Sequence, residues 1–225
     1  MKILSIVGAR PNFMKIKPIY EEFKKRKIEQ ILVHTGQHYD ENMNRVFFED
    51  LELPKPDVFL GIGSGTHGVQ TGAMMSRIEE VLSEEKPDLT VVVGDVNSTL
   101  AGAISSIKMQ IPVAHVESGY RSFDMRMPEE INRILVDRIS QFLFAPTEDA
   151  VNNLILEGTD KKRIFFVGNV MVETLLSHLQ KSKKSKILKN LSLETDNYGL
   201  MTIHRAENTA EPEKLIGVFN SLNKV

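Results

Sequence analysis

TVVVGDVNSTLAGAISSIKMQIPVAHVESGYRSFDMRMPEEINRILVD, from Thr90 to Asp137, decides how the rest of the chain is read. It begins with an apolar, β-branched run, passes through the polar loop Gly94-Asp95-Val96-Asn97-Ser98-Thr99 into a small-residue helix, and returns to a second apolar run. A second polar loop opens with His115 and Glu117, and a further helix begins near Glu129. The stretch thus offers Asp95, His115, Glu117, Glu129 and Glu130, interleaved with Arg121, Arg126 and Arg133. Strand ends in open α/β sheets converge on one crevice, so carboxylates set directly after strands read as the floor of an active site.

Working outward, short apolar runs alternate with helical stretches, the pattern of a parallel sheet covered by helices. Strands are expected at Ile3–Val7, Gln30–His34, Val58–Leu60, Leu89–Val93, Val113–Val116, Gln141–Ala145 and Arg163–Val167, with a further one at Gly199–Ile203. Amphipathic helices are expected near Phe13–Lys25, Glu41–Asp50, Val69–Leu82, Thr99–Lys108, Glu129–Ile139 and Asp149–Glu157. Several strands are apolar on both faces, as strands between two helical layers should be. Residues 1–168 are expected to form one α/β domain, a parallel sheet between two helical layers. Residues 169–225, a linking helix followed by one strand–helix unit, are too short to build a core of their own: either they pack on the first domain or they begin a second one.

Composition excludes several functions. With 225 residues, 41% hydrophobic and 26% charged, the chain is an ordinary soluble globular protein. A net charge of −2 supplies no basic field for nucleic acid or an anionic membrane. The absence of cysteine removes disulfides, thiolate catalysis and zinc–thiolate sites. No apolar run approaches the ~18–20 residues that span a bilayer, and no signal peptide opens the chain, so a cytoplasmic location is expected.

Gly8-Ala9-Arg10-Pro11-Asn12 follows the first strand and leads into a helix. Arg10 and Lys15 lie around that helix N-terminus, where they either meet a phosphate or carboxylate or form a solvated cationic pair. Pro18 marks a kink or a delayed start. His34 and His38 are four apart but separated by Gly36, which favours hydrogen-bonding roles over metal ligation. Gly63-Ser64-Gly65-Thr66-His67-Gly68 matches G-x-G-x-x-G, yet lies on the third strand rather than the opening unit. A flexible glycine-rich loop over the crevice is preferred to a dinucleotide site. Each carboxylate also has a structural reading: Asp95 as a turn residue, Glu129 and Glu130 as first-turn acids, Arg133 as their helical partner. Asn97-Ser98-Thr99 offers an N-cap. Three acidic positions at consecutive βα junctions exceed what caps alone explain.

Taken together, these motifs resemble the non-hydrolysing UDP-N-acetylglucosamine 2-epimerases. The likeness rests on Gly8-Ala9-Arg10-Pro11-Asn12 with Lys15, Thr35-Gly36-Gln37-His38, Gly94–Thr99, His115-Val116-Glu117-Ser118-Gly119 with Arg121, Pro128–Arg133, and Thr202–Asn208. The resemblance implies a GT-B fold of two Rossmann-like halves and interconversion of UDP-GlcNAc and UDP-ManNAc with no metal or other cofactor. The reaction it implies is anti elimination of UDP to 2-acetamidoglucal followed by re-addition. By resemblance Asp95, Glu117, Glu129 and His204 are catalytic, and Arg10, Lys15, Asp95, Glu117, Arg133 and His204 contact substrate. His115 is as readily structural. It further implies a homodimer and a role in cell-surface polysaccharide biosynthesis. Family members continue further, so the 225 residues alone are expected to bind UDP weakly and not to turn over. A hydrolysing 2-epimerase, a GT-B glycosyltransferase and a non-catalytic nucleotide-sugar-binding module are the alternatives.

Overall fold

A computed structural model describes residues 1–37, 51–203 and 211–222. Its centre is a seven-stranded sheet, all parallel, in the order β3-β2-β1-β4-β5-β6-β7. The strands are β1 (Lys2–Val7), β2 (Glu29–His34), β3 (Val58–Phe59), β4 (Leu89–Val93), β5 (Val113–Val116), β6 (Phe142–Ala145) and β7 (Ile164–Phe166). Strands β2 and β3 lie to one side of β1, and β4 to β7 follow on the other. The winding therefore reverses between β1 and β4, and loops leaving those two strands part around a crevice.

Alternation along the strands divides the core between two faces. On one, Ile3 and Val7 of β1 join Val91, Val93 and Ala114 against Phe13 and Ile16, which belong to α1 (Arg10–Lys25). On the other, Leu4 and Ile6 join Val33, Val92 and Val113. That face is covered by Met74 and Ile78 of α2 (His67–Glu85), Ala101 and Ala103 of α3 (Asn97–Lys108), and Val136 of α4 (Pro128–Ile139). Each fully buried Val, Leu, Ile, Met or Phe side chain among these stabilises the sheet by roughly 1.5–3 kcal/mol. Helix α5 (Glu148–Leu156) closes a smaller cluster through Ala150 and Leu154. The Glu41–Asp50 helix expected from sequence lies outside the described residues. No described helix is long and apolar enough to cross a membrane.

Two local expectations are corrected. Helix α1 starts at Arg10 and continues past Pro18 to Lys25, so of the two readings of Pro18 the delayed start is overturned. Proline supplies no N–H to the carbonyl four residues back, which here is that of Met14. The hydroxyl of Thr174, in α6 (Val170–Ser182), donates to the Met14 carbonyl at 2.7 Å and fills the gap. The second correction is Gly199–Ile203, which forms no strand. A parallel strand is held by its ladder neighbours, and among the described residues none pairs with it.

By contacts the chain divides into two compact units, Met1–Leu179 and Gln180–Val225. The second carries the short α7 (Ile187–Asn190) and the amphipathic α8 (Pro212–Leu222).

Candidate active site

The loops after β1, β4 and β5 build the crevice. Asn12 joins the first two: its Oδ1 accepts from the backbone N–H of Gly8 and Ala9, both at 3.0 Å, and its Nδ2 donates to the Val93 carbonyl at 3.0 Å. With Asn12 buried at 1% exposure, these bonds fix the β1 and β4 loops as one piece. Lys15 lies nearly one turn further along α1 and forms an ion pair with Glu117. Their side chains are 9% and 14% exposed, so the pair is largely desolvated. It passes over Gly94, whose φ is +72°; a Cβ there would stand 2.8 Å from Lys15 Nζ and 3.6 Å from Glu117 Oε2. Only glycine leaves both the conformation and the room. Glu117 itself has a φ of 72°, an uncommon value for a residue with a side chain.

Asp95 faces a different cation. Arg133 NH1 donates to Asp95 Oδ2 at 2.7 Å, while Arg133 Nε and NH2 reach Glu130 Oε2 at 3.0 and 2.9 Å. The helical pairing expected for Arg133 is thus real and is shared with Asp95. Asn132 adds a bond from Nδ2 to the Asp95 carbonyl at 2.8 Å. Glu130 is 1% exposed and accepts from the backbone N–H of Ser122 and Phe123, both at 3.0 Å. Burial pushes its carboxyl up, but those two donors and Arg133 outweigh it and hold it below the usual carboxylate range. Glu129, beside it in the first turn of α4, is half-buried. The two neighbouring glutamates therefore differ: Glu130 is spent on the 120s loop, and Glu129 is not.

Asn97, Ser98 and Thr99 do not cap α3; Val96 is the cap residue, without a side-chain bond. The side chains are used elsewhere. Thr99 Oγ1 donates to the Val93 carbonyl at 2.8 Å, and Asn97 Nδ2 donates to Gln70 Oε1 at 2.9 Å. The Ser98 N–H is taken by Gln37 Oε1 at 3.2 Å. The Gln70 side chain in turn donates to the Gly63 carbonyl at 2.8 Å. The glycine-rich loop is thereby tied to the crevice, with His67 Nδ1 beside Asn97 Nδ2 at 3.2 Å. His34 accepts from the Gly36 N–H at 2.8 Å and stacks against Phe13 at 5.2 Å, so its ring serves hydrogen bonding and packing. His115 is fully buried, with Nδ1 2.6 Å from Asp137 Oδ1 and Nε2 2.7 Å from the Gly94 carbonyl. Lys15 with Glu117 and Arg133 with Asp95 therefore form two ion pairs around the ends of β4 and β5. Arg10 opens α1, and His38 and His204 lie outside the described residues.

Residues 21–225 match the sequence profile of the UDP-N-acetylglucosamine 2-epimerases. The chain belongs to that family. A UDP-N-acetylglucosamine 2-epimerase homolog of Methanococcus maripaludis is 52% identical over 98% of this chain and 62% of the relative. The UDP-2,3-diacetamido-2,3-dideoxy-D-glucuronate 2-epimerase of Pseudomonas aeruginosa is 47% identical over the whole chain and 63% of the relative. The crystal structure of Methanocaldococcus jannaschii UDP-GlcNAc 2-epimerase in complex with UDP-GlcNAc and UDP superposes with a TM-score of 0.93 at 49% identity, covering this whole chain and 62% of that one. The chain thus spans less than two thirds of these epimerases' length, and its Rossmann-like sheet corresponds to part of their GT-B fold.

The sequence suggested only a cap for Asn97, quoted Asn12 within a motif without a role of its own, and left Gln70 and Asp137 without any. Asp137 had a readable signal. An acid near a helix C-terminus opposes the macrodipole, so its presence there needs a compensating contact. Asn12 and Gln70 carry no such mark.

Proposed function

We propose that this chain supplies the acid/base half of a non-hydrolysing UDP-GlcNAc 2-epimerase, interconverting UDP-GlcNAc and UDP-ManNAc. The observation that carries the reading is the largely desolvated Lys15–Glu117 pair at the switch-point crevice, one strand from the Asp95–Arg133 pair. In the forward direction a carboxylate takes the proton from C2. The C2–H electrons become the C1=C2 double bond, and the C1–O electrons leave on the diphosphate oxygen of UDP. The 2-acetamidoglucal then receives a proton at C2 on the opposite face while UDP returns to C1.

C2–H has no adjacent carbonyl to acidify it, so its loss must be coupled to C1–O cleavage, with positive charge growing at C1. Carboxylates near C1–C2 stabilise that charge and carry the proton. In this reading Glu117 and Glu129 serve proton transfer. Asp95, fixed by Arg133, serves charge stabilisation, Arg10 and Lys15 face the diphosphate side, and His204 completes the acid/base set. The Pseudomonas relative's name points to the same inversion at C2 on a sugar with different C3 and C6 substituents. C2 inversion is accordingly the core of the proposal, and the remaining substituents are its specificity.

The full-length protein incubated with UDP-GlcNAc in D2O and followed by NMR tests this. Deuterium at C2 of UDP-ManNAc is the expected result. Free ManNAc with UDP would convert the reading to a hydrolysing epimerase. No deuterium at C2, with UDP-GlcNAc or with the diacetamido-uronate nucleotide, would overturn it.

A further inference from the structure

The backbone of Glu117 sits at φ 72°, and something must hold it there. One buried carboxylate holds both of its flanks. Asp137, on α4 and 2% exposed, meets His115 Nδ1 through Oδ1 at 2.6 Å. Its Oδ2 accepts from the Gly119 N–H at 3.0 Å and from Arg121 NH1 at 2.8 Å. His115 precedes Glu117 by two residues and Gly119 follows it by two, so Asp137 brackets the strained position. The His115 ring carries the bracket onward, because its Nε2 donates to the carbonyl of Gly94, the residue over which Lys15 meets Glu117. Arg121 backs the assembly with a forked pair to Glu157 at 2.6 and 2.7 Å. Burial pushes the Asp137 carboxyl up, but His115 and Arg121 outweigh it and keep it below the usual range.

Buried ionic clusters are a poor source of stability compared with apolar packing, so stability alone is a weak reason for this one. We propose that Asp137 is a positioning residue: through His115 and Gly119 it holds Glu117 in its left-handed backbone conformation and so aims the Lys15–Glu117 pair. The proposal rests on the reading of Glu117 as a proton-transfer group.

Two variants of the full-length protein separate position from charge. In Asp137→Asn the Oδ1 still accepts from Gly119 and Arg121, and Nδ2 donates to Nδ1 of an imidazole whose Nε2–H still serves Gly94. Every bond of the bracket survives while the charge is lost. Asp137→Ala removes them all. Misplacing a reacting group by about 1 Å costs on the order of 100-fold, so Asp137→Ala should lower kcat for C2 exchange by about that factor with KM within about threefold. Asp137→Asn should stay within about tenfold of the parent.

Circular dichroism reports whether Asp137→Ala folds. If it does not, His115→Phe, which keeps a ring and loses both bonds, should show the same kcat-selective loss. A folded Asp137→Ala or His115→Phe protein exchanging at the parental rate overturns the proposal, as does Asp137→Asn losing as much as Asp137→Ala. Should the parent show no C2 exchange, the functional reading falls first. A crystal structure of Asp137→Ala then decides the bracket alone, and an unchanged φ at Glu117 refutes it.

Discussion

The bond from Thr174 to the Met14 carbonyl predicts a thermodynamic coupling between Thr174 and Pro18, residues that need not touch. Thr174 is 5% exposed and donates at 2.7 Å to a carbonyl that Pro18 has deprived of its helical partner. Thr174→Val keeps the side-chain shape and leaves that carbonyl bare, so it should cost about 1–2 kcal/mol. Pro18→Ala returns an N–H to the Met14 carbonyl, so the carbonyl no longer depends on the hydroxyl. In that background Thr174→Val should cost only about 0.5 kcal/mol, leaving a coupling energy of about 1 kcal/mol. Urea unfolding of the parent, both single variants and the double variant, followed by circular dichroism, gives the four free energies, provided the urea slope is unchanged. Equal cost of Thr174→Val in both backgrounds would show that the hydroxyl contributes packing alone and would refute the account of how α1 tolerates its proline.

Other outcomes follow from the crevice and the core. Lys15→Met leaves Glu117 buried without its cation; breaking a pair this way costs roughly 3–5 kcal/mol, so a lower urea midpoint is expected together with loss of C2 exchange, and unchanged exchange would refute a role for the pair. Gly8→Ala places a methyl against Ser98 Oγ and Thr35 Oγ1 and should destabilise by about 1–3 kcal/mol; a thermal melt matching the parent would contradict it. Burial pushes His34 from 6.5 down to about 4, so inside that window the unfolded chain binds a proton that the folded chain does not. The stability this provides is complete above about pH 6.5 and is lost as pH falls towards about 4, by about 3 kcal/mol in all. His34→Asn keeps an acceptor for the Gly36 N–H and should flatten the pH dependence of the urea midpoint by that amount; parallel curves would refute it.

How far the sequence reaches follows from what each residue interacts with. Strands β4 and β5 match their expected limits, because buried parallel strands read as unbroken β-branched runs bounded by turn residues. Pro18 misled for the opposite reason. Its local rule is sound, but the compensating donor lies on α6, 160 residues from the Met14 carbonyl it serves, where no local pattern can show it. The same holds for Asn97: its chemistry suits a cap, yet Gln70 in the first turn of α2 engages its side chain instead. Gly199–Ile203 has a strand's composition, and composition does not supply a neighbour. In the crevice the carboxylates were legible as a group because strand ends converge. Their partners were not, since Lys15–Glu117 and Arg133–Asp95 join different βα units.

Those partners give the acidic cluster its internal differences. Asp95 faces a guanidinium, which does not surrender its proton and whose fork is shared with Glu130. Glu117 faces an ammonium, a compact charge with rotatable donors on a flexible stem. Glu130 is committed to two backbone donors, while Glu129 beside it is not. A sheet that placed identical acids in identical surroundings could hold charge but could not assign steps. Inverting C2 needs a proton removed on one face and delivered on the other, so the proposed reaction requires groups with different partners. The winding reversal at β1 and β4 provides this in physical terms. It brings α1, the β4 and β5 loops and α4 to one crevice, where the loops carry the acids, α1 supplies the ammonium that faces Glu117 and α4 the guanidinium that faces Asp95.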